Sequence, residues 1–100
     1  MSVIVVVRVK ADPADVKKVF ADRGADLIAI SDDAKSQGCT HHRFVAGDGE
    51  VLVIDEWGTA ESFQKFFESN TAIPALLQAA NVQGPPEVQV YEPMETPDQF

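Results

Sequence analysis

The chain has 100 residues, 45% of them hydrophobic, and carries 16 acidic against 8 basic residues for a net charge of −8. This size and composition indicate one domain with a single core and exclude a largely disordered chain. The negative field argues against nucleic acid and anionic membranes as partners, and we expect no membrane-spanning segment. The single cysteine, Cys39, excludes an intrachain disulfide and is compatible with a reducing, cytoplasmic setting.

The first part of the chain predicts a strand followed by a helical region. Val3 to Val9 is almost entirely β-branched, which is typical of a central strand covered on both faces. Asp12 and Pro13 form a helix start signal. Gly24 then either lets the helix approach the sheet closely or divides it into two shorter helices. The apolar stripe of this helical region consists of Val16, Phe20, Leu27 and Ala34.

The middle of the chain predicts a hairpin. Gly38 ends the helical region, and the segment from Cys39 to Ala46 is polar enough to be an edge strand. The sequence Gly-Asp-Gly at 47–49 is a strong turn signal, with Asp-Gly favouring a two-residue type I′ turn. The apolar segment from Val51 to Trp57 then predicts a second central strand.

The last part of the chain predicts two helical stripes and an edge strand. Thr59 is a suitable N-cap for a helix. Two prolines at 85 and 86 prevent further helix. Polar and apolar residues alternate from Glu87 to Glu92, which predicts an edge strand. Residues 93–100 are expected to form an irregular tail. The first stripe consists of Phe63, Phe66 and Phe67, and the second of Ile73, Leu76, Leu77 and Ala80.

This order of elements predicts an α+β fold. Strand, helix, two strands, helix, strand is the ferredoxin-like βαββαβ arrangement, with a four-stranded antiparallel sheet and its first and third strands in the middle. We expect residues 1–92 to form a single domain. The helices can cover one face of the sheet only, yet the middle strands are apolar on both faces. The chain is therefore expected to pair with itself as a homodimer, sheet against sheet.

One face of the predicted hairpin carries candidate chemistry. A two-residue turn places His42 opposite Asp55, whereas an odd loop length would exchange these partners. In the functional interpretation Asp55 orients His42 as a general base, and Trp57 and Phe44 form an aromatic wall around a flat substrate. The alternative interpretation is a cross-strand ion pair beside a core tryptophan.

Further side chains are weaker candidates. His41 and His42 are adjacent in a strand and point to opposite faces, so the sequence predicts no metal site. Arg43 and Tyr91 could stabilise an oxyanion. The alternative is a solvated edge charge for Arg43 and a half-buried edge tyrosine for Tyr91. Phe66 belongs to a core stripe whose cleft with the sheet would suit a small apolar or aromatic ligand.

Three segments together resemble the antibiotic biosynthesis monooxygenase family of dimeric α+β barrels. They are HHRF before the hairpin, DEW before a helix rich in Phe, and PPEVQVYE near the end. The resemblance runs from Val3 to about Glu92. It implies a homodimer with a cavity in each subunit between sheet and helices. It also implies that an ionised polycyclic phenol or hydroquinone reacts there with dioxygen without flavin, haem or metal.

A related branch of this family degrades haem with an Asn on the first strand and a Trp and a His in the region of the second helix. Phe66 and Leu76 stand at those Trp and His positions, which disfavours haem degradation. The resemblance therefore implies a monooxygenase that needs no cofactor and oxidises a small aromatic or quinol-type compound. The alternatives are a non-catalytic homodimer that binds a small ligand, and a cofactor-free isomerase or lyase of the same superfamily.

Overall fold

The computed structural model describes residues 2–100 and shows an α+β fold. The strands form one antiparallel sheet in the order β2-β3-β1-β4, so the prediction of a ferredoxin-like sheet with β1 and β3 in the middle is confirmed. The elements are β1 (Val3–Lys10), α1 (Pro13–Asp22), α2 (Gly24–Ser36), β2 (Cys39–Gly47), β3 (Glu50–Trp57), α3 (Ala60–Ser69), α4 (Ala72–Ala79) and β4 (Gln83–Tyr91).

The helical region between β1 and β2 consists of two helices, α1 and α2. Asp12 caps α1 as predicted, because its Oδ1 accepts a hydrogen bond from the backbone N–H of Ala14 at 3.0 Å. Arg23, with φ −117° and ψ 36°, interrupts the helix, and α2 begins at Gly24. A Cβ atom built at Gly24 would meet no atom within 4 Å. Close approach to the sheet therefore does not explain this glycine, and the chain follows the alternative of two shorter helices.

Both ends of the second helical region have defined caps. Thr59 is the N-cap of α3 as predicted, with its Oγ1 accepting from Ser62 N at 3.1 Å. After α4, Asn81 adopts a left-handed φ of 57°. Its N–H donates to the carbonyl of Gln78, and the next N–H, of Val82, donates to the carbonyl of Leu77, each at 3.2 Å. This is the Schellman pattern, and it turns the chain from α4 back into the sheet.

The hairpin between β2 and β3 has the predicted register. Gly47 pairs with Glu50, which leaves a two-residue loop, and His42 pairs with Asp55. The predicted type I′ turn is wrong. That turn needs positive φ at both loop residues, whereas of Asp48 and Gly49 only Gly49 has it, at 69°.

Strand β4 begins earlier than predicted. It starts at Gln83 instead of Glu87 and includes both prolines. Lys10 pairs with Gln83 and Arg8 with Glu87, so the intervening residues form a bulge. A bulge on an edge strand accommodates proline because no ladder N–H is required there.

The two faces of the sheet differ in what covers them. On the helix-side face, buried residues of β1 and β3 pack with the helices in two clusters, one around Trp57 and one around Val16. The opposite face, here called the outer face, carries Ile4, Val6, Leu52 and Ile54, which are only partly buried. None of the helices within residues 2–100 is long and apolar enough to cross a membrane.

Candidate functional site

A cavity of about 370 Å³ lies between the helix-side face and the helices. Most of its lining is aliphatic or aromatic. Polar groups gather where α2 faces the first half of β2, and they include Ser31, Lys35, His42 and Asp55. The aromatic lining consists of Phe20, Phe44, Phe63, Phe66 and Phe67.

His42 and Asp55 form a close pair in the cavity wall. Because they lie directly opposite one another on β2 and β3, His42 Nδ1 lies 2.7 Å from Asp55 Oδ1. Asp55 is only 6% exposed, whereas the His42 side chain is 38% exposed. A carboxylate only accepts hydrogen bonds, so the neutral imidazole carries its proton on Nδ1. Nε2 then keeps its lone pair and is the ring nitrogen that is able to accept a proton.

Trp57 lies behind this pair and not in the cavity wall. Its indole Nε1–H donates to Asp55 Oδ2 at 3.2 Å, and its side chain is fully buried. The rings of Phe63 and Phe66 pack on it with centroid distances of 5.7 and 5.2 Å. Because these rings of α3 cover the end of β3, Trp57 is not among the cavity-lining residues. The prediction of Trp57 as a binding wall is therefore corrected to a residue that contacts Asp55.

The aromatic wall of the cavity is formed by Phe44 and by rings from the helices. Phe44 lies edge-on to His42 at 5.0 Å between centroids and contacts Phe20 of α1 at 4.7 Å. Phe66 lines the cavity from α3. Phe44 and Phe66 thus lie where a ligand in the cavity would contact them. Phe20 also lines the cavity. This was not anticipated, because the sequence showed only that Phe20 belongs to the apolar stripe of a helix.

Arg43 and Tyr91 do not lie at this cavity. Arg43 pairs with Ile54 and Tyr91 pairs with Ile4, so both side chains belong to the outer face. Tyr91 is 53% exposed. The sheet separates both side chains from the cavity.

A β-bulge in β2 brings Cys39 to the same face as His42. Cys39 pairs with Trp57 and His41 pairs with Glu56, which leaves Thr40 as an extra residue. Strict alternation would have placed Cys39 and His42 on opposite faces. Cys39 lines the cavity, and burial, together with the negative charge of Asp55, raises the pKa of its thiol to about 11. Cys39 is therefore an uncharged thiol near neutral pH and a poor nucleophile.

The side chain of His41 lies on the other face from His42, beside Glu56, although the residue itself borders the cavity. Its Nδ1 is 3.8 Å from Glu56 Oε1, and the side chain is 77% exposed. Within residues 2–100 no three His, Cys, Asp or Glu side chains are grouped as metal ligands. Ser31 and Lys35 of α2 also line the cavity. They were not anticipated, because the sequence of a helix does not show whether a polar residue faces solvent or a cavity.

Comparison with known proteins gives a structural match without a sequence match. The sequence matches no protein-family model and no curated protein. SnoaB, a cofactor-independent oxygenase from Streptomyces nogalater, is similar at a TM-score of 0.63 and 18% identity, over 98% of both chains. The ActVA-Orf6 monooxygenase of Streptomyces coelicolor, solved with nanaomycin D, is similar at a TM-score of 0.69 and 18% identity, over 95% of this chain and 89% of that chain.

A third solved structure is an antibiotic biosynthesis monooxygenase with a TM-score of 0.65 and 11% identity, covering 93% of this chain and 99% of that chain. These identities are low, so the similarities establish the fold. The chain has the fold of antibiotic biosynthesis monooxygenases, as the resemblance in its sequence predicted.

Proposed function

We propose that this chain, with the fold of antibiotic biosynthesis monooxygenases, is a cofactor-independent monooxygenase that oxidises a small aromatic or quinol-type compound with dioxygen. The observation that carries the proposal is the His42–Asp55 pair in the wall of an otherwise mainly apolar cavity. The oxygenase named SnoaB and the monooxygenase solved with nanaomycin D support it through the shared fold.

The cavity suits a flat aromatic ligand. Its volume of about 370 Å³ falls in the range of small-molecule sites, about 300 to 1,000 Å³. Phe44 and Phe66 offer aromatic surfaces on which a flat ring would pack, and the mainly apolar lining would displace water from the ring surface that it contacts. A hydroxyl or enolisable carbonyl of the ligand is then directed to His42, since this is where the wall becomes polar.

Proton removal is the step that the protein performs. His42 Nε2 accepts the proton of the substrate hydroxyl, and Asp55 stabilises the resulting imidazolium through Nδ1–H. The substrate anion transfers an electron to dioxygen, and recombination of the two radicals forms a carbon–oxygen bond. The peroxide anion formed in this way takes the proton back from the His42 imidazolium, which gives the hydroperoxide and restores the base. Loss of water from the hydroperoxide gives a quinone. One oxygen atom stays in the product and the other leaves as water, so the substrate supplies all the electrons.

Oxygen uptake with a panel of hydroquinones and anthrones, in metal-free and flavin-free buffer, tests this function. The parent chain should consume oxygen with at least one compound, and His42→Ala should slow uptake about 100-fold or more because general-base catalysis is lost. His41→Ala is the matched control, because its ring lies on the other face of the sheet, and it should retain the parent rate. A His42→Ala variant as fast as the parent would remove the proposed base.

Ligand binding without catalysis is the second candidate function, and the largely apolar lining of the cavity favours it. In that case ligands of the panel would raise the melting temperature while oxygen uptake stayed at the buffer level. A cofactor-free isomerase or lyase would instead convert its substrate under nitrogen, which product analysis without oxygen would detect.

We also propose that the chain is a homodimer joined through its outer face. Ile4, Val6, Leu52 and Ile54 are only partly buried there although they occupy the two central strands. Full burial of such a side chain contributes about 1.5 to 3 kcal/mol. A second copy of the chain is a suitable partner, because across a two-fold axis the apolar stripe of one copy packs against the same stripe of the other.

A further inference from the structure

We propose that Trp57 is a positioning residue: its indole N–H fixes the Asp55 carboxylate, which in turn fixes His42 with Nε2 available to the cavity. The catalytic consequence rests on the proposed function. The hydrogen-bond chain itself is present in the protein without substrate and is measurable without turnover.

Both oxygens of Asp55 are engaged by side chains. Oδ1 accepts from His42 Nδ1 at 2.7 Å, and Oδ2 accepts from Trp57 Nε1 at 3.2 Å. Asp55 is 6% exposed and Trp57 is fully buried. Within the described chain every buried side-chain nitrogen and oxygen has a hydrogen-bond partner. Removing the indole N–H would leave a buried carboxylate oxygen without its side-chain donor, a costly state that the carboxylate relieves by moving.

The position of the donor is itself fixed by packing. Asp55 and Trp57 are two residues apart on β3 and so share the helix-side face. Phe63 and Phe66 pack on the indole ring. The bulge at Thr40 places Cys39 beside Trp57 and still leaves His42 opposite Asp55. A rigid aromatic cluster thus carries one N–H that is aimed at Asp55.

The functional consequence concerns the tautomer of His42. A carboxylate held in place keeps the neutral ring as the Nδ1–H form, which is the form with a basic Nε2. If Asp55 is free to turn, the ring populates the Nε2–H form as well, and that form cannot take a proton from a substrate in the cavity. Trp57 would therefore act on the rate while lying outside the cavity wall.

Nitrogen-15 NMR of the substrate-free protein at about pH 8, where an ordinary imidazole is neutral, tests the inference. The chain has two histidines, and His41→Ala assigns the His42 signals. The parent should show the Nδ1–H tautomer, and Trp57→Phe should show a mixture with the Nε2–H form. For a reactive substrate, kcat should fall about tenfold in Trp57→Phe with a smaller change in KM.

Val5→Ala is the matched control. Val5 is fully buried in the same cluster and lies opposite Asp55 on β1, yet its side chain has no hydrogen-bonding group. It should lower the melting temperature without changing the His42 tautomer. The inference is overturned if Trp57→Phe keeps the parent tautomer, or if Val5→Ala changes it as much.

A measurement on the parent protein keeps the inference testable if Trp57→Phe does not fold. The chain has one tryptophan and hence one indole N–H resonance. That resonance should lie downfield of a non-bonded indole, and it should move in Asp55→Asn. A resonance at the position of a non-bonded indole would overturn the inference.

The two proposals fail separately. If Trp57 controls the tautomer but no compound is oxidised, the positioning role stands and the oxygenase function fails. If His42→Ala abolishes oxygen uptake while Trp57→Phe leaves the tautomer unchanged, the function stands and the positioning role fails.

Discussion

Asp55 is the residue that links the polar groups of the site. It accepts hydrogen bonds from His42 and Trp57, and its negative charge, after burial, helps to raise the pKa of Cys39 to about 11. A quinone product would react with a thiolate in the same cavity, so an uncharged Cys39 is compatible with the proposed reaction. One buried carboxylate thus accepts from His42 and adds to the effect of burial that keeps the Cys39 thiol uncharged.

At the scale of residues, the sequence predicted which residues lie opposite one another on neighbouring strands. It did not predict how deeply each side chain is buried. The Asp-Gly loop and the two-residue period of strands place His42 opposite Asp55, and the structure has this register. Alternation also shows that Trp57 shares their face. It does not show that Phe63 and Phe66 of a later helix cover Trp57 and exclude it from the cavity, because that depends on packing between distant segments.

At the scale of elements, the cavity depends on how α2 is joined to the turn between α3 and α4. Asp33 on α2 accepts hydrogen bonds from Gln37 Nε2 and from Asn70 Nδ2, both at 2.9 Å. Asn70, the C-cap residue of α3, in turn accepts from the backbone N–H groups of Ala72 and Ile73 at the start of α4, at 3.0 and 3.3 Å. Asp33 and Asn70 therefore connect the helices that enclose the cavity.

The Asp33 contact should make stability depend on pH. The hydrogen bonds from Gln37 and Asn70 hold the pKa of Asp33 below its usual value. A carboxyl group with a lowered pKa in the folded state stabilises the fold above its unfolded pKa and loses this contribution as the pH falls through the folded value. Asp33→Asn should therefore lower the melting temperature at about pH 7, and the difference from the parent should shrink towards about pH 3.

Asp32→Asn is the matched control for this prediction. It removes the same charge at the neighbouring position, where the side chain is exposed. Its melting temperature should follow that of the parent across the same pH range. An equal effect from both variants would show that general charge, and not the bond to Asn70, causes the change.

The element boundaries show where sequence reasoning reached its limit. The cap at Asp12, the cap at Thr59 and the two-residue loop depend on local side-chain chemistry, and all were predicted. The bulge at Thr40 and the early start of β4 at Gln83 depend on pairing with other strands. Gly84, with φ 74°, and the two prolines after it are residues that a bulge accommodates, whereas nothing in the sequence around Thr40 indicates one.

At the scale of the whole molecule, the polarity of the strands predicted the order of the sheet, with the apolar β1 and β3 between the more polar edges β2 and β4. The outer face has a charged margin beside its apolar stripe. Arg8 there contacts Glu50 at 2.6 Å and Glu87 at 3.4 Å. An apolar centre with a polar rim is the usual anatomy of a protein interface, which supports the proposed homodimer.

Sedimentation equilibrium at micromolar concentration tests the homodimer. The parent should sediment as a dimer, and Ile54→Asp should be a monomer because it buries a charge at the centre of the proposed interface. Ile28→Asp makes the same change on α2, where the side chain is 64% exposed, and should remain a dimer. A parent chain that sediments as a folded monomer would contradict the proposed interface.

The proposed reaction depends on His42 removing a proton from an aromatic substrate in the cavity. Anaerobic mixing with an anthrone tests it most directly, because the absorption band of the anion reports proton removal before oxygen takes part. The parent should produce the band, and admitted oxygen should discharge it. His42→Ala should bind the anthrone, as judged by thermal stabilisation, without producing the band. An equal band in His42→Ala, or none in the parent, would show that His42 is not the base.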